Sequence, residues 1–196
     1  MFNEVFKNHY DGSSGELNVI GINKEVQAAY VWNFFNTHSK SLIVVTNTLY
    51  EANSLYKALS FFDASKVLLF PMDDFLVSEA VAMSPDLMAK RIETLNELSN
   101  YNDKYIVITN LMGYLRFLPS KTLWNSLKIN LSKDSVFAKN ELIDKINMMG
   151  YKRENIVTKT GEYASRGYII DIFPYGFDNP VRLEFFDDEI ENIRFF

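Results

Sequence analysis

The chain contains no cysteine, and only 2 histidines, 5 prolines and 8 glycines in 196 residues. The absence of cysteine excludes disulfides, thiolate metal sites and cysteine nucleophiles, and it fits a reducing cytosol. The two histidines, His9 and His38, each sit in a polar stretch near an element end with no suitable partner nearby in sequence. They read as surface residues and not as a catalytic or metal centre. Positive charge is also short: 20 basic against 25 acidic side chains leave a net charge of −5. That balance has the wrong sign for a domain whose main task is to neutralise DNA phosphates. No run approaches the roughly 18 apolar residues of a membrane span. Met1 to Tyr10 lacks the basic stretch and apolar core of a signal peptide. The expectation is a soluble cytoplasmic chain.

What is present is enough to build a core. Apolar residues make up 47% of the chain and aromatics 15%, which argues for packed structure over disorder. The length allows one large domain or two small ones. The aromatics lack interleaved basic residues, so core packing accounts for them better than base stacking.

The first part alternates apolar runs with helical patterns. Leu17 to Gly21 reads as a strand and Glu25 to Phe35 as a helix. Ser41 to Thr46 is a β-branched apolar strand of the kind buried on both faces of a parallel sheet. Thr48 can cap a helix running through Leu59, and Lys66 to Phe70 is a further strand closed by Pro71. Ser84-Pro85-Asp86 is a helix start, with a hydroxyl cap, proline in the first turn and an acid at the positive end of the dipole. Met88, Ile92, Leu95 and Leu98 then recur at helical spacing, and Tyr105 to Thr109 is another strand. This order implies α/β architecture: an open parallel sheet flanked by helices.

From about Trp124 the pattern changes. Leu127 to Leu131 alternates as a half-exposed antiparallel strand should, and Glu141 to Met149 is a short helix that Gly150 ends. The remainder is strand and turn. A boundary near Ser120 gives an α/β domain over 1–122 and a smaller α+β domain with an antiparallel meander over 123–196.

Gly21 to Ala28 lies where a nucleotide-binding α/β domain places its phosphate loop: Gly, four residues, then Gly-Lys-Ser/Thr. Gly21 supplies the first glycine, but Val26, Gln27 and Ala28 hold the later positions. A branched Cβ there blocks close approach of the backbone to phosphate, glutamine supplies no cation, and alanine cannot ligate Mg²⁺. Lys24 lies three residues too early to substitute. Asp73-Asp74 reads as a solvated loop, and Ser13-Ser14-Gly15 as a flexible turn. No cofactor is expected, and no metal site; Asp187, Asp188 and Glu189 are explained as turn residues.

The C-terminal stretch carries the most specific pattern. Arg166-Gly167 is followed by Asp171-Ile172-Phe173-Pro174, and then Arg182, Glu184, Phe186, Asp188, Glu189, Ile190 and Glu191 form a charged and apolar run. This segment resembles one shared by the damage-recognition protein UvrB and the transcription-repair coupling factor Mfd. The lost phosphate loop favours the second, whose N-terminal module is UvrB-like but carries a decayed loop. Phe70-Pro71, the Ser84 to Leu98 stretch, Val107 to Thr109 and Leu118-Pro119 occur in the same order as in that family.

The resemblance implies a degenerate, helicase-like first domain and a second domain that docks the repair protein UvrA. It implies no catalysis by this segment. ATP and Mg²⁺, RNA polymerase and DNA would be engaged by other domains of the full-length protein, a DNA translocase, so the chain reads as a fragment. The alternative is an N-terminal piece of a UvrB-like, nucleotide-dependent helicase.

Carried over by position, Arg166 and Arg153 match arginines with which UvrB grips UvrA, while a third such arginine is replaced by Ala164. Lys152, Tyr163 and Tyr168 complete the candidate set. Arginine's planar fork suits carboxylates, and tyrosines supply contact area. The competing reading has these arginines paired with the domain's own acids, Glu162, Asp171 or Glu184.

Overall fold

A computed structural model of the chain describes residues 19–74, 84–100 and 103–196. Packing divides these residues into two compact units, one drawn from 1–82 and 100–118 and the other from 83–99 and 119–196.

In the first unit, helix α1 (Lys24–Thr37) starts at Asn23, whose side-chain oxygen accepts from the Val26 amide at 2.9 Å. Strand β1 (Leu42–Thr46) leads to α2 (Leu49–Asp63). Thr48 caps α2 by accepting from the Glu51 amide at 3.2 Å, and Glu51 reaches back to the Asn47 amide at 3.1 Å. This reciprocal arrangement satisfies donors that a helix start leaves free. Strands β2 (Val67–Phe70) and β3 (Ile106–Asn110) complete a parallel sheet in the order β1-β3-β2. The central strand β3 is buried at every position, which is why its sequence shows no alternation. Phe35, Ala52, Leu55 and Leu59 from the helices pack with Ile106 and Ile108. Lys104 donates to the carbonyls of Phe35 and His38 at 2.7 and 2.8 Å, closing the C-terminal end of α1.

The parallel sheet is thus observed, but β1 is not buried on both faces as its apolar run suggests: it lies at the end of the sheet order, with Ile43 and Val45 exposed. The start of the chain differs too. Leu17 and Asn18 of the expected first strand lie outside the described residues, and Val19 and Ile20 are not in a strand. His9 and Ser13-Ser14-Gly15 also lie outside them. His38 is half-buried, stacked on Phe34 with ring centroids 3.9 Å apart.

The second unit contains α3 (Pro85–Ser99), which the sequence places with the first domain. The residues around α5 (Lys121–Ser126) hold it: Trp124 Nε1 donates to Asn96 at 3.0 Å, and Lys128 donates to Ser99 at 2.7 Å. In chain order the short helix α4 (Leu111–Tyr114) follows β3 and precedes α5, and it belongs to the first unit. The strand expected at Leu127 to Leu131 is absent. Leu127 instead closes α5, its amide turned back to Trp124 and Asn125. Ile129 and Leu131 still pack on the second core, so their alternation reports half-burial and not pairing.

Helix α6 (Lys139–Met148) is followed by a five-stranded sheet of β4 (Lys152–Arg153), β5 (Glu162–Arg166), β6 (Ile169–Ile172), β7 (Val181–Phe186) and β8 (Glu189–Phe195), in that spatial order. The β5 to β8 meander is antiparallel, whereas β4 runs parallel to β5. Val181, Leu183 and Phe185 are buried and alternate with Arg182, Glu184 and Phe186 on the other face. Leu142 and Ile146 of α6 cover the apolar face over Ile170 and Ile190. Among the described residues no helix is long and apolar enough to cross a membrane.

Candidate functional site

The residues from Gly21 to Ala28 serve the fold. Asn23 takes the Val26 amide with its own side chain, and α1 begins at Lys24. The Lys24 ammonium lies 5.6 Å from the centre of the Tyr50 ring, and Ala28 is buried in the core. A phosphate cradle needs backbone amides left open towards its anion. Here the amides of Val26 and Gln27 are both bonded to Asn23.

Asp74 is not simply solvated, as its sequence setting suggests. Its Oδ1 accepts from the Leu49 amide at 2.7 Å and from Asn110 Nδ2 at 2.8 Å. The fully buried Asn110 amide also donates to the Met72 carbonyl at 2.7 Å and accepts from the Met72 amide at 3.1 Å. The carboxyl ends of β2 and β3 are therefore tied to the start of α2 by internal polar groups. A carboxylate placed there also complements the helix dipole.

In the second unit, β4 forms an edge of the five-stranded sheet. The amides of Lys152 and Glu154 bond to β5 and its preceding turn at 2.9 and 2.8 Å. Strand geometry turns the intervening Arg153 amide outwards. Lys152, Arg153, Lys159, Arg166 and Tyr168 are all exposed along this border. Register places Arg153 opposite Tyr163, and Arg166 lies three residues further along β5. Their Cα atoms are therefore about 11 Å apart from strand spacing alone.

The acids offered as competing partners are engaged elsewhere. Asp171 is paired with Arg182, Glu184 with Arg194 at 3.1 Å, and Glu162 with the amides of Thr158 and Lys159 at 2.8 and 2.9 Å. Arg166 is exposed, donates to the carbonyl of Asn155 and, among the described residues, makes no ion pair. Among the described residues, no hydrogen bond or ion pair engages the side chains of Lys152 and Arg153. The border thus gathers four exposed basic side chains, Lys152, Arg153, Lys159 and Arg166, beside the exposed acid Glu154 and with Lys159 near Glu162.

Tyr163 leaves the candidate set. It is 1% exposed, its hydroxyl donates to Asn147 at 2.8 Å, and its ring lies in the core beneath α6. Its position on the inner face of β5 explains this, because alternation puts Glu162 and Ala164 on the other side. Tyr168, at 67% exposure, remains accessible. Ala164, standing where a third arginine was sought, is itself buried. Lys139, which the sequence did not single out, donates from α6 to the Gly167 carbonyl and holds the turn between β5 and β6. Only three-dimensional proximity reveals that role, since 28 residues separate the pair.

Residues 129–196 match the family described as the UvrB interaction domain, which encompasses α6 and the whole five-stranded sheet. The second unit therefore carries a fold of the UvrB interaction class. Over nearly its full length the chain is also similar to transcription-repair-coupling factors. It is 34% identical to that of Staphylococcus haemolyticus (strain JCSC1435) over 189 residues, which covers 95% of this chain and 16% of that protein. It is 30% identical to that of Bacillus subtilis (strain 168) over 196 residues, covering 100% of this chain and 16% of that protein. The chain is thus similar to transcription-repair-coupling factors over nearly all of its own length, and it spans 16% of the length of these relatives.

Proposed function

We propose that this chain is a non-catalytic docking module that recruits UvrA for nucleotide excision repair at stalled RNA polymerase. The observation that carries this reading is the cationic border of the UvrB interaction domain, where Arg153 and Arg166 are exposed and, among the described residues, bonded to no acid. Arginine forks held outside the local ion pairs suit carboxylates on a partner protein. Tyr168 adds aromatic contact area. The chain's negative net charge weighs against DNA as the ligand.

The first unit, in this reading, retains a helicase-like α/β frame without its nucleotide. The Asn23 cap and the buried Ala28 support that assignment. ATP and Mg²⁺, polymerase and DNA belong to other parts of the full-length family protein.

The direct test is titration of purified UvrA against the chain. Saturable binding in about the micromolar range agrees with docking, whereas no binding up to about 100 μM overturns it. A parallel ATP titration is expected to show no binding heat.

A further inference from the structure

The loop joining β4 to β5 is fixed internally at several points, yet it displays an apolar side chain outwards. Ile156 is 69% exposed, while its neighbour Val157 is buried at 8% and fastens the loop to the unit. On one side of Ile156, Arg166 donates to the Asn155 carbonyl. On the other, the Glu162 carboxylate accepts from the Thr158 amide at 2.8 Å, the Lys159 amide at 2.9 Å and the Thr158 hydroxyl at 3.2 Å. Glu154 closes the loop's start by donating to Tyr163 at 2.8 Å.

Single exposed apolar residues are ordinary on protein surfaces and carry no meaning alone. This one differs in its setting. Its backbone is already ordered, so burying it on a partner costs little further conformational entropy. It also lies within the cationic border, next to the residue that Arg166 holds. Apolar anchors ringed by polar groups are the usual form of an interface centre.

We propose that Ile156 is the apolar anchor of the docking surface, seated in an apolar socket that carboxylates surround on the partner. Arg153 and Arg166 meet those carboxylates, and Arg166 also holds the loop that presents Ile156. This rests on the docking reading above and adds a specificity-determining residue to it.

The test uses the same chain with Ile156→Asp and Ile156→Leu, titrated with UvrA and checked by thermal unfolding. Ile156→Asp is expected to weaken binding about 30-fold or more, as truncation of an interface anchor does, with an unchanged unfolding midpoint. Ile156→Leu is expected to stay within about twofold, since it keeps the apolar volume. If the unaltered chain binds UvrA and Arg153→Glu with Arg166→Glu abolishes that binding, an Ile156→Asp affinity within twofold overturns the anchor and leaves the docking reading standing. A fall in unfolding midpoint that matches the loss of affinity assigns the effect to folding and also overturns it. If the unaltered chain does not bind UvrA, the docking reading fails and the anchor fails with it.

Discussion

Arg182 on β7 grips Asp171 on β6 at two points, Nε to Oδ1 at 2.6 Å and Nη2 to Oδ2 at 2.8 Å. The register that faces Asp171 with Arg182 builds the pair directly across the antiparallel ladder. The side chains are 8% and 27% exposed respectively, so the pair is largely withdrawn from water. The guanidinium also lies 4.9 Å from the centre of the Phe196 ring. Its hydrogen bond to Asp171, the largest influence, raises the affinity of Arg182 for its proton above the ordinary value. This arginine is committed to the sheet, which separates it from the exposed pair at the β4 border.

Arg182→Ala is therefore expected to lower stability, by about 2 kcal/mol, because it strands the Asp171 carboxylate. Chemical denaturation measures this. UvrA affinity of the folded variant is expected to stay within about twofold, in contrast to the border arginines.

Gly161→Ala is expected to be costly for two independent reasons. Gly161 has φ +85°, a conformation that L side chains seldom adopt, and an added Cβ would run into the Tyr175 side chain at its hydroxyl end, which must then shift. The expected loss is about 2 to 3 kcal/mol. The unfolding midpoint measures it; a change below about 0.5 kcal/mol would show that the turn relaxes freely.

Glu162 links loop geometry to acidity. Its carboxyl is held below its ordinary value of 4.5, chiefly by the hydrogen bond from the Thr158 amide and against the opposing effect of burial. The Lys159 amide and Thr158 hydroxyl add to it. A carboxylate with a depressed folded value stabilises the folded chain above its unfolded value, and that contribution drains away as pH falls through the folded value. Because the group is mostly exposed, the effect is small. Glu162→Gln is expected to flatten the acid limb of stability below about pH 4.5, read from denaturation midpoints between about pH 6 and pH 3.

Asn110→Ala leaves both polar groups of Met72 without their partner and removes one of the donors to Asp74. The expected loss is about 2 to 3 kcal/mol, again by denaturation. A neutral result would show that water or another side chain takes over.

Much of this architecture was legible in the residues. The unbroken apolar runs at β1 and β3 signalled a parallel sheet, and the alternation from Val181 to Phe186 signalled its antiparallel counterpart. The helix starts at Thr48 and Pro85 followed from their capping chemistry. The misplaced features share a cause, which is dependence on distant partners. The grouping of α3 with the second unit rests on Asn96 and Ser99 meeting residues after 120. The parallel strand β4 is only two residues long and has no periodicity to detect. Tyr163 sits among polar neighbours in sequence, and only the pleat reveals that it points inwards. Asp74 is exposed in a loop as read, but its bonds to Leu49 and Asn110 escaped notice because those partners are 25 and 36 residues away.

The central claim is that unpaired arginines at the β4 border hold UvrA. The most direct measurement is the UvrA affinity of the chain carrying Arg153→Glu and Arg166→Glu together, alongside the unaltered chain and their unfolding midpoints. A loss of affinity of about 100-fold or more is expected, because each reversal replaces attraction with repulsion. The midpoint is expected to fall only slightly, through loss of the Arg166 bond to the Asn155 carbonyl, since among the described residues neither arginine joins an ion pair. Equal affinities for the two chains would contradict the claim.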